Sequence, residues 1–124
     1  MKKSMKLQLQ LEGLGLFLLF LLAYIYLNYE MKWFFILFFA PDLSFVGYAI
    51  NKKLGTIAYN LLHHQGFFAV VFALSFWQNI EALQVISLTF LAHSAFDRMW
   101  GYGLKYADSF HNTHMGWMGN AKKN

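Results

Sequence analysis

The chain has 124 residues, 58% hydrophobic and 20% aromatic, and only 13% carry a charge; soluble domains carry about 25%, so a water-exposed surface all round is excluded. Cysteine is absent, which removes disulfides, thiolate metal sites and cysteine nucleophiles. The formal charge of +4 is scattered along the chain and leaves no footprint for nucleic acid.

Four apolar segments are expected to cross a bilayer as one integral membrane domain over residues 1–124. The first runs from about Leu14 to Leu27, behind Lys2, Lys3 and Lys6. A basic start also suits a signal peptide, but no small-x-small cleavage pattern follows. Tyr24, Tyr26 and Tyr29 form an interfacial aromatic cluster instead, so a retained, lipid-facing support helix is expected. The second segment runs from about Trp33 to Ile50. It contains Pro41, which lacks an N–H and is expected to break the span, with Asp42 near the start of the second half and Ser44 as a candidate cap. The third runs from about Leu54 to Trp77 and the fourth from about Ala82 to Trp100. Each approaches the ~20 residues that ~30 Å of hydrocarbon requires. The links Asn28–Lys32, Asn51–Lys53 and Gln78–Glu81 are short, which makes neighbouring spans antiparallel. A polar tail follows from about residue 106 to 124. The fold class is therefore all-α, a four-span transmembrane helical bundle with its second span broken at Pro41.

Basic residues fix the orientation. With four spans, Lys2, Lys3, Lys6, Lys52, Lys53, Arg98, Lys105, Lys122 and Lys123 share one side, and Lys32 alone lies on the other. The positive-inside rule then puts both termini in the cytoplasm.

Five strongly polar side chains interrupt these apolar runs: Asp42, Asn60, His63, His93 and Asp97. A charge at bilayer depth costs at least ~2.5–3.5 kcal/mol, so such residues usually serve a site. At 1.5 Å per residue, all five fall roughly 8–15 Å below the inner surface. Asn60 and His63 are three apart, His93 and Asp97 four apart, so each pair shares a helix face. His64 points about 100° away from His63 and reads as a satisfied or interfacial histidine. Tyr48 and Tyr59 are expected near the inner interface. His111 and His114 form His-x-x-His in the tail, and the glycine pair Gly101 and Gly103 reads as a helix stop.

Two histidines and two aspartates offer N and O ligands suited to Zn²⁺ or another divalent ion. Asp42, His63, His93 and Asp97 are the expected ligands. Asp42 and Asp97 are the candidate acid/base groups, since a metal-activated water needs a carboxylate to take its proton. Arg98 and Lys105 would hold an anionic head group, with Asn60 and His114 completing the substrate contacts. A bland reading also accounts for each residue singly: His93 and Asp97 hydrogen-bond one another, Asp97 pairs with Arg98, and Asn60 and His63 join helices.

The stretch Phe39-Ala40-Pro41-Asp42-Leu43-Ser44, with Gly47-Tyr48, Tyr59-Asn60-x-x-His63, His93-Ser94-x-Phe96-Asp97-Arg98-x-x-Gly101-Tyr102-Gly103-Leu104-Lys105 and Thr113-His114, resembles a bacterial membrane family catalogued as domain of unknown function 4260. The resemblance covers most of the chain after Trp33. It implies a small integral membrane protein of four spans and no particular activity, and its motif marks the same polar residues; the inner membrane is the expected location. The function expected from the residues is a metal-dependent hydrolase acting on a lipid-like, amphipathic or anionic substrate. The competing readings are a proton- or cation-coupled transporter, which at four spans implies a homo-oligomer, and a structural membrane subunit without catalysis.

Overall fold

The structure, a computed structural model, describes residues 2–104 and 112–117. Helix α1 covers Lys3–Tyr26 and so starts well before the expected Leu14. Leu11, Leu14, Leu18, Leu22 and Ile25 recur at steps of three and four and all stand exposed. Phe17, Phe20 and Leu21 turn inward to the core instead. Such an outward apolar stripe has no use in water.

The remaining elements follow in order. Helix α2 covers Met31–Leu37, a 3₁₀ helix covers Ala40–Ala49, and α3 covers Lys52–Leu62. Helix α4 covers Gln65–Trp77 and α5 covers Glu81–Met99. Two-residue strands, β1 (Asn112–Thr113) and β2 (Gly116–Trp117), pair antiparallel with Thr113 opposite Gly116.

Helices α1, α4 and α5 end by one device. Asn28, Asn79 and Gly101 take positive φ of 61°, 58° and 87°, the left-handed conformation that asparagine and glycine adopt most easily. After α5 the Gly101 N–H donates to the Arg98 carbonyl at 3.0 Å and the Tyr102 N–H to the Asp97 carbonyl at 2.8 Å. That pair of bonds is a Schellman motif, and it locks the last turn of α5, the turn that carries Asp97. The expected helix stop is therefore present.

Helix α5 is the axis of the molecule, with α1, α4 and α2 packed around it. Gln84, Ser87, Thr89, His93 and Ser94 are all buried along it. Tyr24, Tyr29, Phe34, Phe38 and Phe68 close the core against Val85, Leu88, Leu91 and Ala92. The 3₁₀ helix packs on α3. Their crossing is close: a Cβ on Gly47 would lie 2.9 Å from the Gly55 Cα, and a Cβ on Gly55 would enter the Tyr48 ring. The Tyr48 hydroxyl meets Thr56 Oγ1 at 3.2 Å beside that crossing.

Two expectations change here. The second segment is α2 followed by the 3₁₀ helix, and the change falls at Phe38 and Phe39, just before Pro41, which sits in the first 3₁₀ turn with Asp42. The third segment is two helices bent by 45° at His63 and His64. The His64 imidazole caps the new helix at this break: its Nδ1 accepts the Phe67 N–H at 2.9 Å. The first two segments are long and apolar enough to cross a membrane, and the bent pair makes a third if it counts as one span. Helix α5 falls below that apolarity because its polar residues face protein.

Candidate metal centre

The first turn of the 3₁₀ helix presents Asp42, the end of α3 presents His63, and the last two turns of α5 present His93 and Asp97. One ligand atom from each lies within 4.8 Å of all the others. His63 Nε2 is 3.2 Å from Asp97 Oδ2 and 3.6 Å from Asp42 Oδ1. His93 Nε2 is 3.2 Å from Asp42 Oδ1 and 3.4 Å from Asp97 Oδ2. Nitrogen and oxygen thus alternate around a small ring.

Two chemistries meet at these separations, and the His93 Nε2–Asp42 Oδ1 contact at 3.2 Å also satisfies a hydrogen bond. Charge-assisted N–H⁺···O⁻ bonds run to about 2.7–2.9 Å, so 3.2–3.6 Å is long for them. Around a tetrahedral ion with bonds of about 2.0–2.1 Å, neighbouring ligand atoms stand about 3.3–3.4 Å apart. The four N···O separations lie near that value, and the quartet could hold an ion.

The tautomer agrees. His63 Nδ1 lies 2.8 Å from the Tyr59 carbonyl oxygen and donates to it. The lone pair of Nε2 is then aimed at two carboxylate oxygens, and buried Nε2 has no hydrogen-bond partner among the described residues. Two anionic oxygens facing Nε2 are satisfied by a metal ion on its lone pair or by a proton on it. Fixing one imidazole nitrogen through a backbone carbonyl is the usual way to orient a ligand histidine. His93 lacks that support: its Nδ1 is buried without a partner among the described residues, and its ring is held by the edges of Phe38 and Phe39, at centroid distances of 5.1 and 6.3 Å.

Exposure separates the four residues. The side chains of His63 and His93 are 4% and 2% exposed, that of Asp97 15% and that of Asp42 34%. Asp42 is the open edge of the quartet.

Tyr59 was expected near the interface, but it belongs to the site. It is 3% exposed, and its ring stacks on His63 at 3.8 Å and 14°. Its hydroxyl donates to Asp97 Oδ2 at 3.4 Å. The signal in the sequence was the four-residue step from Tyr59 to His63. Removal of the hydroxyl alone has a defined expected result: Tyr59→Phe keeps the stack and the carbonyl but weakens metal retention roughly tenfold, the low end for outer partners of metal ligands. Competition against a graded chelator measures it, and unchanged affinity would mean that the hydroxyl does not orient Asp97.

The other expected residues are placed as follows. Arg98 Nη1 donates to Gln65 Oε1 at 3.0 Å, and Arg98 lines a small void with Tyr59, His63, Asp97 and Tyr102. Asp97 itself turns to the two histidines, so the expected alternative of an Asp97–Arg98 pair gives way to an Arg98–Gln65 contact. Asn60 is half-buried on α3 and lies outside the quartet. Ser44 does not cap: the 3₁₀ helix has no side-chain cap, and buried Ser44 Oγ has no partner among the described residues. Lys105 and His111 lie outside the described residues.

His114 is in the tail hairpin and is not one of the four clustered residues. Its N–H donates to the Leu104 carbonyl at 2.8 Å, and its Nδ1 accepts the Leu104 N–H at 2.8 Å. Thr113 and Met115 on either side are buried. Burial, with the Arg98 charge nearby, holds this imidazole below its ordinary range. The fold therefore keeps His114 neutral, and its contribution is complete above the ordinary histidine pKa of about 6.5 and is lost as pH falls below it. Hydrogen exchange at the Leu104 amide, corrected for intrinsic rates, is expected to accelerate between pH 7.5 and 5.5. A flat corrected rate would contradict the two-way bond.

Residues 6–118 match the model of a protein family described as Domain of unknown function (DUF4260). No curated protein and no solved structure matches the chain. The match spans nearly the whole chain, and the protein belongs to this family.

Proposed function

We propose that this DUF4260 member is a multi-pass membrane metalloprotein whose quartet holds one divalent ion, zinc by its ligand set, and hydrolyses an ester, amide or phosphoester of a lipid-like substrate. The observation that carries the reading is the alternating nitrogen and oxygen ring with separations of 3.2–3.6 Å. A bound ion would act as a Lewis acid and lower the pKa of a coordinated water. The protein's own residues then have separate tasks. His63, His93 and Asp97, the most buried three, hold the ion. Asp42, at the exposed edge, both ligates and takes a proton from the attacking water. Arg98 is best placed to bind an anionic head group, with Asn60, Lys105 and His114 as further contacts.

In this reading α5 is a fourth, inner span, shielded from lipid by α1 and α4, and the break before Pro41 brings Asp42 to the depth of His93. Both termini lie in the cytoplasm of a bacterial inner membrane, from the nine-to-one distribution of basic residues.

One observation favours a second reading, cation or proton transport. Both Asp42 and His63 stand at interruptions of helices, the arrangement that transporters use for ion sites. The test is direct. Detergent-purified protein is analysed for metal and then incubated with a defined set of phospholipids and phosphoesters. Released acid or phosphate, reduced at least 100-fold in Asp42→Asn, supports hydrolysis, since a general base is worth about 10²–10⁴ in rate. Bound metal with no turnover, together with ion flux in liposomes, would replace hydrolysis by transport.

A further inference from the structure

A second feature lies at the opposite end of α5 from the quartet. A cavity of about 440 Å³ runs between α2 and α5. Leu37, Ala82, Val85 and Ile86 form its apolar length, and Glu30, Trp33 and Glu81 form its mouth. Glu81 is twelve residues before His93, about 18 Å along the helix, so the two sites share no residue.

The charges at this mouth are informative. The two links at this end of the molecule contain three charged residues, Glu30, Lys32 and Glu81. Two of them line the cavity, and the third, Lys32, is exposed and pairs with one of those two. Glu30 and Glu81 line it, and Lys32 Nζ sits 3.2 Å from Glu30 Oε2 and 5.4 Å from the Trp33 ring centre. Glu81 has no hydrogen-bond or ion-pair partner among the described residues. It also borders a second recess of about 300 Å³ with the polar groups of Tyr29, Asn79 and Gln84. Beside the mouth, Phe35 and Ile36 on α2 are 69% and 62% exposed, so the cavity opens among surface that faces an apolar phase.

An occupant matched to this lining brings an apolar chain and a cation for Glu81, and an anionic group on it would share Lys32 with Glu30. We propose that this cavity binds a zwitterionic aminophospholipid. One acyl chain lies along Leu37, Val85 and Ile86, the primary ammonium bonds the Glu30 and Glu81 carboxylates, and the phosphate meets Lys32. A primary ammonium has three N–H donors for two carboxylates; a quaternary one has none. Charge complementarity at the mouth and the apolar depth of the cavity together select this class.

The test uses full-length protein in nanodiscs of mixed phosphatidylethanolamine, phosphatidylcholine and phosphatidylglycerol, followed by native mass spectrometry of the lipid retained on release. Phosphatidylethanolamine is expected to be enriched at least tenfold over the other two. Glu81→Gln is expected to reduce that enrichment at least fivefold. Ala82→Phe, which fills the cavity without changing charge, is expected to remove the retained lipid. Metal content and helical circular dichroism should stay at wild-type values in both variants, which separates loss of this site from loss of the fold or of the quartet. Equal retention of phosphatidylglycerol, or variants that retain lipid as the wild type does, would overturn the proposal. A dimer that Ala82→Phe dissociates would also overturn it, because a second copy of the chain would then occupy the cavity.

Discussion

His93→Ala is expected to purify with less than a tenth of the divalent metal carried by the wild type. The reason is geometric. His93 Nε2 is one of two nitrogens in the ring and touches both carboxylates, at 3.2 and 3.4 Å. Its loss leaves Asp42 and Asp97 converging on one another with a single imidazole between them. The remaining trio has more negative charge than neutral donors, in a site whose histidines are almost fully enclosed. Removing one outer partner of a ligand costs 10–100-fold in affinity, and removing a ligand costs more. The ordering among the carboxylates follows exposure: Asp97→Asn should lose more metal than Asp42→Asn, because Asp97 is the more buried and is also held by Tyr59.

The same variant makes a stability prediction. An ion present at 100 times its dissociation constant stabilises the fold by about 2.7 kcal/mol. Chelation of the wild type should therefore lower its thermal midpoint in detergent by several degrees, and chelation of His93→Ala should leave the midpoint unchanged. Elemental analysis and thermal unfolding with and without chelator check both statements. Equal metal in the wild type and His93→Ala would remove the quartet as a metal centre.

The quartet was legible because charge is costly where lipid surrounds a helix, so Asp42, His63, His93 and Asp97 stood out from an apolar background. Tyr59 did not stand out. An aromatic residue near a membrane surface has a sufficient ordinary explanation, and its largest service here is given by a backbone carbonyl, which no side-chain pattern reports. The bend at His63 and His64 was hidden for a related reason. Helix starts are usually signalled by Ser, Thr, Asp or Asn, whereas here an imidazole nitrogen performs the capping. No proline or glycine marks the bend either, although Gly66 follows closely. The central place of α5 was legible only in part. Gln84, Ser87, Thr89 and Ser94 make it the least apolar of the expected spans, and that polarity is what burial against α1 and α4 permits.

The last prediction joins the fold to the site. Gly55→Ala is expected to destabilise the protein and to lose metal, although residue 55 lies two helical turns from His63. The 3₁₀ helix packs mainly on α3, most closely at Gly47 and Gly55, and an added Cβ at 55 enters the Tyr48 ring at its base, where the ring cannot swing aside. Overpacking of this kind costs about 1–3 kcal/mol. The strain has one easy outlet: the 3₁₀ helix moves off α3. That motion carries Asp42 away from His63 and His93 and opens the ring of ligands at its exposed edge. Metal affinity should then fall along with stability, by at least tenfold, since a ligand displaced by about 1 Å no longer meets the ±0.2 Å tolerance of a coordination site. Gly15→Ala is the control of opposite sign. A Cβ at Gly15 meets nothing within 4 Å on an exposed part of α1, so alanine there should stabilise the helix by about 0.5–1 kcal/mol and leave metal content alone. Thermal unfolding and metal titration of the two variants side by side decide the matter. A Gly55→Ala protein that unfolds early yet binds metal normally would show that Asp42 is not held in place through the crossing of the 3₁₀ helix and α3.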